Sequence, residues 1–565
     1  MNRSGLAPAS HSKAFIIYLF LTALLCGALI MVIEVLGSRV VGPFFGVSLF
    51  VWTSLITVTL LALAIGYWLG GVYADRHGSA NVLYGIILVS GLVVLLIPLL
   101  KVPVIKLAQP LGLRGGAFVS TLILFGPALL LLGCVSPFLI KIAARELHNI
   151  GRTVGGFYAI STLGSVVGTV LTGFFLIAYL GVDQIFYIVG FLLILLAAAY
   201  FAWSRGNYFL LLLCLLPLIM PQTERFQRQI MADGTRVEQV FSTENFYGAI
   251  KVVDYSLAQT HVRELMINGQ IQGGIDMHNR GSIFRYSYFL QFIPRAMHPL
   301  GERCLVIGLG AGMVPMWYEQ QGVITDVVDI DPEIVKVAQD YFGFNIAGDI
   351  LIEDARYFIS RTQRHYDYII LDVFTGDLTP GHVISREAFA AISSRLTGSG
   401  LLVINLIGSL GEHAEGTASV VKTLREVFDT VRIFPTFDPG ERSEGNIMVL
   451  AHNGQPKVLP EFDLDLYVMH PLVRDGLRRG FGREVSLPAS ASGIVLTDNY
   501  NPIDVYDAWL REQARRDILD TINQDLLLST GPTTSHMLLT AGLSGAIDNS
   551  LPLKRSGLRQ PAPMW

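Results

Sequence analysis

Ionisable side chains are scarce in the first two-fifths of this chain: residues 14–220 carry only a handful of acids and bases, whereas the remainder has the charge density of a soluble domain. With 52% hydrophobic and only 15% charged residues over 565 positions, an ordinary single soluble domain is excluded, and the length suggests roughly two to four domains. Cysteine is equally sparse. Cys26, Cys134, Cys214 and Cys304 are scattered, without a CxxC pair or a His/Cys spacing, so neither a disulfide framework nor a zinc-type site is expected. No basic run occurs and the net charge is −4, which argues against a nucleic-acid partner.

What fills the first part is apolar sequence in stretches long enough to cross a bilayer, which takes about 20 residues. They fall near 14–35, 47–71, 82–101, 117–140, 155–180 and 183–203. The first stretch lacks a small-residue cleavage site and is followed by many more, so a signal peptide is not expected. Tyr208 to Pro221 is apolar but short, and could lie in the interface, re-enter or cross. The basic residues Arg3, Lys13, Arg76, Lys141, Arg145, Arg152 and Arg205 fall on one side, against Arg39, Lys101, Lys106 and Arg114 on the other. That bias favours an inside N-terminus. Six spans would then leave the C-terminal part cytoplasmic, and seven would export it; an adenosyl cofactor needs the cytoplasmic pool, so a cytoplasmic site in the cell (inner) membrane is the expectation. Ala62, Gly66 and Gly70, and likewise Gly164 and Gly168, form small-residue stripes of the kind that lets helices pack closely. Glu34, at the end of the first apolar run, either snorkels to the interface, pairs with Arg39 or binds a cationic ligand within the bundle.

Beyond residue 222 the pattern changes. Residues 237–276 alternate apolar and polar positions around Tyr247-Gly248 and Asn268-Gly269, which predicts a small antiparallel sheet with a hairpin. Apolar strands then alternate with helical stretches at 304–307, 325–329, 368–372, 401–406, 431–434 and 446–451, the signature of a parallel sheet with crossover helices. The expected organisation is a helical bundle over 1–222, a β-domain over 223–280, an α/β Rossmann-like domain over 281–525 and a loosely ordered tail over 526–565.

Chemistry concentrates at the ends of those strands. Gly308, Gly310 and Gly312 follow the first strand and permit a tight turn with close backbone approach to a ligand. The next strand ends in Asp329, placed to accept hydrogen bonds from ribose hydroxyls. Glu353-Asp354 follows a strand at 350–352 and can face an adenine amino group. Asp372 ends the apolar run YDYIILDVF at the carboxyl edge, where α/β sheets bind ligands and where a carboxylate can act as general base.

NGQIQ (268–272), the helix with Tyr286, HPL (298–300), GLGAG (308–312), VDIDP (328–332), EDAR (353–356) and LDVFTGD (371–377) together resemble the spermidine synthase, or polyamine aminopropyltransferase, family. TDNYNP (497–502) adds a resemblance to the branch fused to a multi-span membrane domain. The resemblance implies a class I methyltransferase-type Rossmann domain preceded by a small β-domain. It implies decarboxylated S-adenosylmethionine as co-substrate, with S-adenosylmethionine the alternative donor, no metal, and 5′-methylthioadenosine as product. It further implies that Asp329 binds ribose and Asp354 the adenine edge, that Gln272 and Tyr286 line the pocket, and that Asp372 takes the proton from the attacking amine. Where the family carries further acids, this chain has Ala311, Tyr288 and Thr375; Asp377 and Asp498 are the candidates to supply substrate-binding charge. The expected partners are a small polyamine such as putrescine, the lipid bilayer and a second copy of the chain. Two other readings remain open on the residues: methyl transfer or methylthioadenosine release from S-adenosylmethionine, and a polyamine carrier or sensor.

Overall fold

The computed structural model describes residues 13–521 except 47–48, 145–149, 221–227, 232, 374–379, 455–456, 461–463, 465–468 and 479. Its N-terminal part is a helical bundle: α1 (Lys13–Phe45), α2 (Leu49–His77), α3 (Ala80–Ala108), α4 (Gly112–Leu124), α5 (Gly126–Ala144), α6 (Ile150–Leu171), the short α7 (Ile177–Tyr179) and α8 (Val182–Arg205). Six helical stretches of the described residues are long and apolar enough to cross a membrane. The small-residue stripes lie in the tightest seams. A Cβ on Gly66 would come within 2.4 Å of the Leu130 carbonyl and one on Gly164 within 2.0 Å of the Leu24 carbonyl, so α2 meets α5, and α6 meets α1, backbone to backbone.

After α8 the chain turns at Gly206, in the left-handed conformation, and Tyr208–Leu215 runs as a 3₁₀ helix into Leu216–Ile219. Leu213, Cys214, Leu216 and Met220 pack with Leu88, Leu92, Leu95, Tyr187 and Ile194, so this segment returns alongside α8 and α3. The 3₁₀ form makes the return possible. Eight 3₁₀ residues at about 2 Å each and four α residues at about 1.5 Å each span about 22 Å, most of a bilayer core of about 30 Å.

The return bears directly on orientation. Near the C-terminal end of α1, Arg39 donates to the Phe246 carbonyl and the Pro43 carbonyl accepts from Arg515, both partners belonging to the C-terminal part. That part therefore docks on the end of the bundle opposite Lys13. The expected pairing of an inside N-terminus with a cytoplasmic C-terminal part assumed that both lie at the same end of the bundle, whereas here they lie at opposite ends of α1. Arg39 also turns to Phe246 rather than joining Glu34.

Next comes a five-stranded antiparallel sheet in chain order: β1 (Arg228–Ile230), β2 (Arg236–Glu244), β3 (Ala249–Leu257), β4 (Thr260–Ile267) and β5 (Gln270–Asp276). Because side chains alternate between faces, neighbouring residues serve two cores. Val237, Val253 and Met266 join the core of the bundle, whereas Ile250, Val252, Leu265 and Ile275 join that of the following sheet. The β4–β5 turn, Asn268-Gly269, has both residues at positive φ, as a two-residue hairpin requires. Charged groups sit at the junction with the bundle: Lys101 pairs with Asp183 at 2.7 Å, and Glu244 lies among Arg39 and Lys251.

The second sheet has seven strands: β6 (Arg303–Ile307), β7 (Ile324–Asp329), β8 (Ile350–Ile352), β9 (Tyr366–Leu371), β10 (Leu396–Ser409), β11 (Thr430–Pro435) and β12 (Glu444–His452). Their spatial order is β11-β12-β10-β9-β6-β7-β8. The pairings β9–β10, β6–β9, β6–β7 and β7–β8 are parallel, and β12 runs antiparallel to both its neighbours. This is the methyltransferase-type variant of the Rossmann-like fold. The order reverses between β6 and β9, so a crevice opens at their carboxyl ends.

Candidate active site

The crevice is a cavity of about 180 Å³ bounded by the ends of β6, β7 and β9 and by strand β5. At its floor the glycine turn adopts φ of +90° at Gly308, +53° at Gly310 and +77° at Gly312. Two of the three have no room for a side chain: a Cβ on Gly308 would lie 2.2 Å from the Asp372 carbonyl, and one on Gly312 would lie 2.7 Å from the Phe344 ring. Both conformation and space thus demand glycine, which holds the turn against β9.

Asp329 is bound into this turn. One of its oxygens accepts from the Leu309 amide and the other from the Asp331 amide, both at 2.9 Å. Burial pushes its carboxyl up to about 6 despite those bonds. Asp331 is itself held by Asn245, whose side-chain amide reaches both of its oxygens at 2.7 and 2.8 Å. Asp354 lines the cavity and also caps the helix Ala355–Arg361, accepting from the Tyr357 amide at 2.9 Å. Its other oxygen lies 3.1 Å from His382 Nε2. These acids present fixed, already bonded oxygens.

Asp372 differs. It follows β9, its amide donates to the Ile307 carbonyl, and its side chain is enclosed by protein except toward the cavity. One oxygen accepts from Asn405 Nδ2 at 2.8 Å, and Asn405 is oriented in turn by Asn446 at 3.0 Å. Desolvation outweighs that one bond and raises the carboxyl to about 6. Across the cavity lie Gln272 and Tyr286, the Tyr286 hydroxyl donating to the Gln272 carbonyl at 3.3 Å; burial raises the phenol strongly, so it stays protonated. A base that is ionised at neutral pH yet basic by desolvation, facing a nucleoside-sized hollow, can deprotonate an incoming nucleophile.

Gly308, Gly310, Asp329, Asp354, Gln272, Tyr286 and Asp372 line this cavity, with Gly312 closing the turn behind it. Asp498 does not. Its exposed carboxylate bonds Arg356 at 2.8 Å and the Ser385 hydroxyl, fastening the TDNYNP segment to neighbouring helices, and the structure does not bring it among the described residues that line the cavity. Asp377 and Thr375 lie outside the described residues. Ala311 packs against Gly273, where a Cβ would approach to 3.0 Å, and the Tyr288 hydroxyl donates to the Ser282 carbonyl at 2.8 Å. At these two positions the chain presents a methyl group and a bonded phenol.

Sequence reasoning missed Asn405, Asn446, Asn245, Asp331, Tyr247 and His382. The polar Asn405 inside the apolar run LLVINLIGS was the available signal, since a buried strand seldom keeps an amide without a partner.

Residues 283–456 match the family described as the spermine/spermidine synthase domain. An N-terminal histidine N-methyltransferase of Emericella nidulans is 36% identical over 147 residues, 25% of this chain and 26% of that protein. A polyamine aminopropyltransferase of Vibrio vulnificus is 35% identical over 131 residues, 21% of this chain and 43% of that protein. The chain thus spans less than half the length of either relative. Among solved structures, a probable spermidine synthase from Corynebacterium glutamicum shares 20% identity over 49% of this chain and 98% of its own, with a TM-score of 0.35.

Proposed function

We propose, from the premise that the C-terminal part of this chain is a spermine/spermidine synthase domain, that the protein is a membrane-bound aminopropyltransferase. Its donor would be decarboxylated S-adenosylmethionine and its acceptor a small polyamine such as putrescine. The observation that carries this reading is Asp372, a desolvated carboxylate that shares one cavity with Asp329 and the glycine turn.

In the reaction so assigned, the acceptor's ammonium loses a proton to Asp372, which frees the nitrogen lone pair. That nitrogen forms a bond to the propyl carbon next to the sulfonium, the carbon–sulfur bond breaks, and its electron pair stays on sulfur as neutral methylthioadenosine. The sulfonium is already activated, so the protein's task is alignment and proton removal. Asp329 would receive the ribose hydroxyls and Asp354 the adenine edge. Gln272 and Tyr286 would bound the propyl and amine end.

A second reading keeps the donor site and changes the transfer, to a methyl group or to release of methylthioadenosine without an acceptor. It is favoured by Ala311 and Tyr288, which leave the amine end with fewer charges, and by the similarity to a histidine methyltransferase. The test is mass spectrometry of detergent-purified protein given either donor, with and without putrescine. Methylthioadenosine together with a lengthened polyamine, only from the decarboxylated donor, supports aminopropyl transfer. S-adenosylhomocysteine, or methylthioadenosine without an acceptor, replaces it with the second reading.

The six apolar helices support an integral protein of the cell membrane, with the active site on the cytoplasmic face where adenosyl donors are made. That placement puts Lys13, Arg76, Lys141 and Arg205 outside, against the usual charge bias. An impermeant thiol reagent applied to intact cells should label a cysteine introduced at Gly78; labelling only after lysis would place the active site outside.

A further inference from the structure

The nucleoside side of the cavity is tied to the membrane-length helix α1. Arg39 donates through Nη2 to the Phe246 carbonyl at 2.6 Å. Phe246 belongs to the β2–β3 turn, which Asn245 organises by accepting from the Tyr247 and Gly248 amides at 2.9 and 3.0 Å. The same Asn245 grips both oxygens of Asp331, whose amide in turn donates to Asp329. Tyr247 and Asp331 line the cavity. Four consecutive links therefore run from a bundle helix to the acid that ends β7.

A second tie reaches the other hairpin. Arg515, fully buried in the helix Ala508–Thr521, donates to the Pro43 carbonyl at 3.1 Å and to the Asn268 carbonyl at 3.3 Å. Asn268 holds the β4–β5 turn, from which Gln272 reaches the cavity, and its side chain accepts from the Ala249 amide of the first turn at 3.0 Å. Both turns on this side thus hang from the last turns of α1. By contrast, Asp372 is held by Asn405 and Asn446 within the second sheet and has no link to the bundle in this chain of bonds.

We propose that Arg39 is a positioning residue for nucleoside binding, setting Tyr247, Asp331 and Asp329 against the glycine turn from within the membrane bundle. This rests on the assignment of the cavity as an adenosyl site. Arginine suits the task because its planar fork keeps one geometry while it spans two domains.

The test uses the full-length protein in detergent and 5′-methylthioadenosine as probe, followed by calorimetry, alongside steady-state kinetics with the decarboxylated donor. Arg39→Ala should weaken methylthioadenosine and raise donor KM by about tenfold, while the pH midpoint of kcat stays at the wild-type value. Arg39→Lys, which keeps one donor, should recover affinity to within about threefold. Asn245→Ala, on the other side of the junction, should reproduce the Arg39→Ala affinity loss and serves as the measurement if Arg39→Ala fails to fold. Unchanged affinity in either alanine variant, or a fall in kcat with a moved pH midpoint, overturns the proposal. Failure of the wild-type protein to bind methylthioadenosine would instead overturn the adenosyl reading on which it rests.

Discussion

The two sides of the cavity hold their carboxylates in opposite ways. On the β7 side, both oxygens of Asp329 accept backbone amides and both oxygens of Asp331 accept from Asn245. On the β9 side, Asp372 receives a single side-chain bond, from Asn405. The first arrangement fixes geometry while leaving further lone-pair sites on the same oxygens for a ligand's hydroxyls. The second leaves a carboxylate under-solvated, with a free edge toward the cavity, which is the condition for basicity. The difference teaches that burial alone does not mark a base. Asp329 and Asp372 are both raised to about 6, and it is the bonding that singles out Asp372 as the proposed proton acceptor.

Substitution at the base should have the largest effect. Asp372→Asn keeps the shape and the contact to Asn405 but cannot take a proton, so turnover should fall by about a thousandfold or more, with methylthioadenosine affinity within about tenfold of wild type. Near-normal turnover in that variant would erase the distinction between the two sides. Asp329→Asn should do the reverse, raising donor KM by about thirtyfold and lowering kcat much less. A collapse of kcat at unchanged KM would show that the contrast has been drawn at the wrong residue.

The acid limb gives a finer probe. The Asp372 carboxyl stands at about 6, above its ordinary value, so the ionised base is depleted as pH falls through about 6. Activity should drop about tenfold per pH unit below that point. Asn405→Ala removes the bond that favours the charged form and should move the limb upward by about one unit. A downward shift would mean that Asn405 serves the protonated acid instead. The smallest effect is expected at Asp498, outside the cavity. Asp498→Asn should leave kcat/KM within about threefold and show only as a melting temperature lowered by a few degrees, since a partly exposed ion pair contributes about 1 kcal/mol or less.

How much of this was legible beforehand varies with the physics involved. The glycine turn and the ends of β6, β7 and β9 were readable because a buried parallel strand is a continuous apolar run, and the residue that ends it falls at the ligand edge by topology. Helix-length apolar stretches were readable for a similar reason. The partners of the acids were not. Asn245 meets Asp331 across 86 residues and Asn405 meets Asp372 across 33, and no local pattern encodes such pairings. Asp498 was expected in the pocket and is found bonded to Arg356 and Ser385, because a motif records which residues accompany a fold, not which of them face the ligand. The side on which the C-terminal part docks depended on Tyr208–Ile219, whose reach is decided by whether it coils as α or 3₁₀, and composition is indifferent to that choice.

The shared sheet also bears on how the protein can be made. Val237, Val253 and Met266 complete the bundle's core, while Ile250, Val252 and Leu265 on alternate positions of the same strands complete the catalytic half. A gene that begins only after the last apolar helix would therefore yield the C-terminal half with one sheet face stripped bare, a surface expected to drive aggregation. During synthesis the order is likewise constrained: the helices emerge from the ribosome first, and only once they have assembled does the sheet find a surface on which to settle. Defects in assembly of the helical bundle should then register downstream, as loss of folding of the C-terminal part, even when every residue of the cavity is intact.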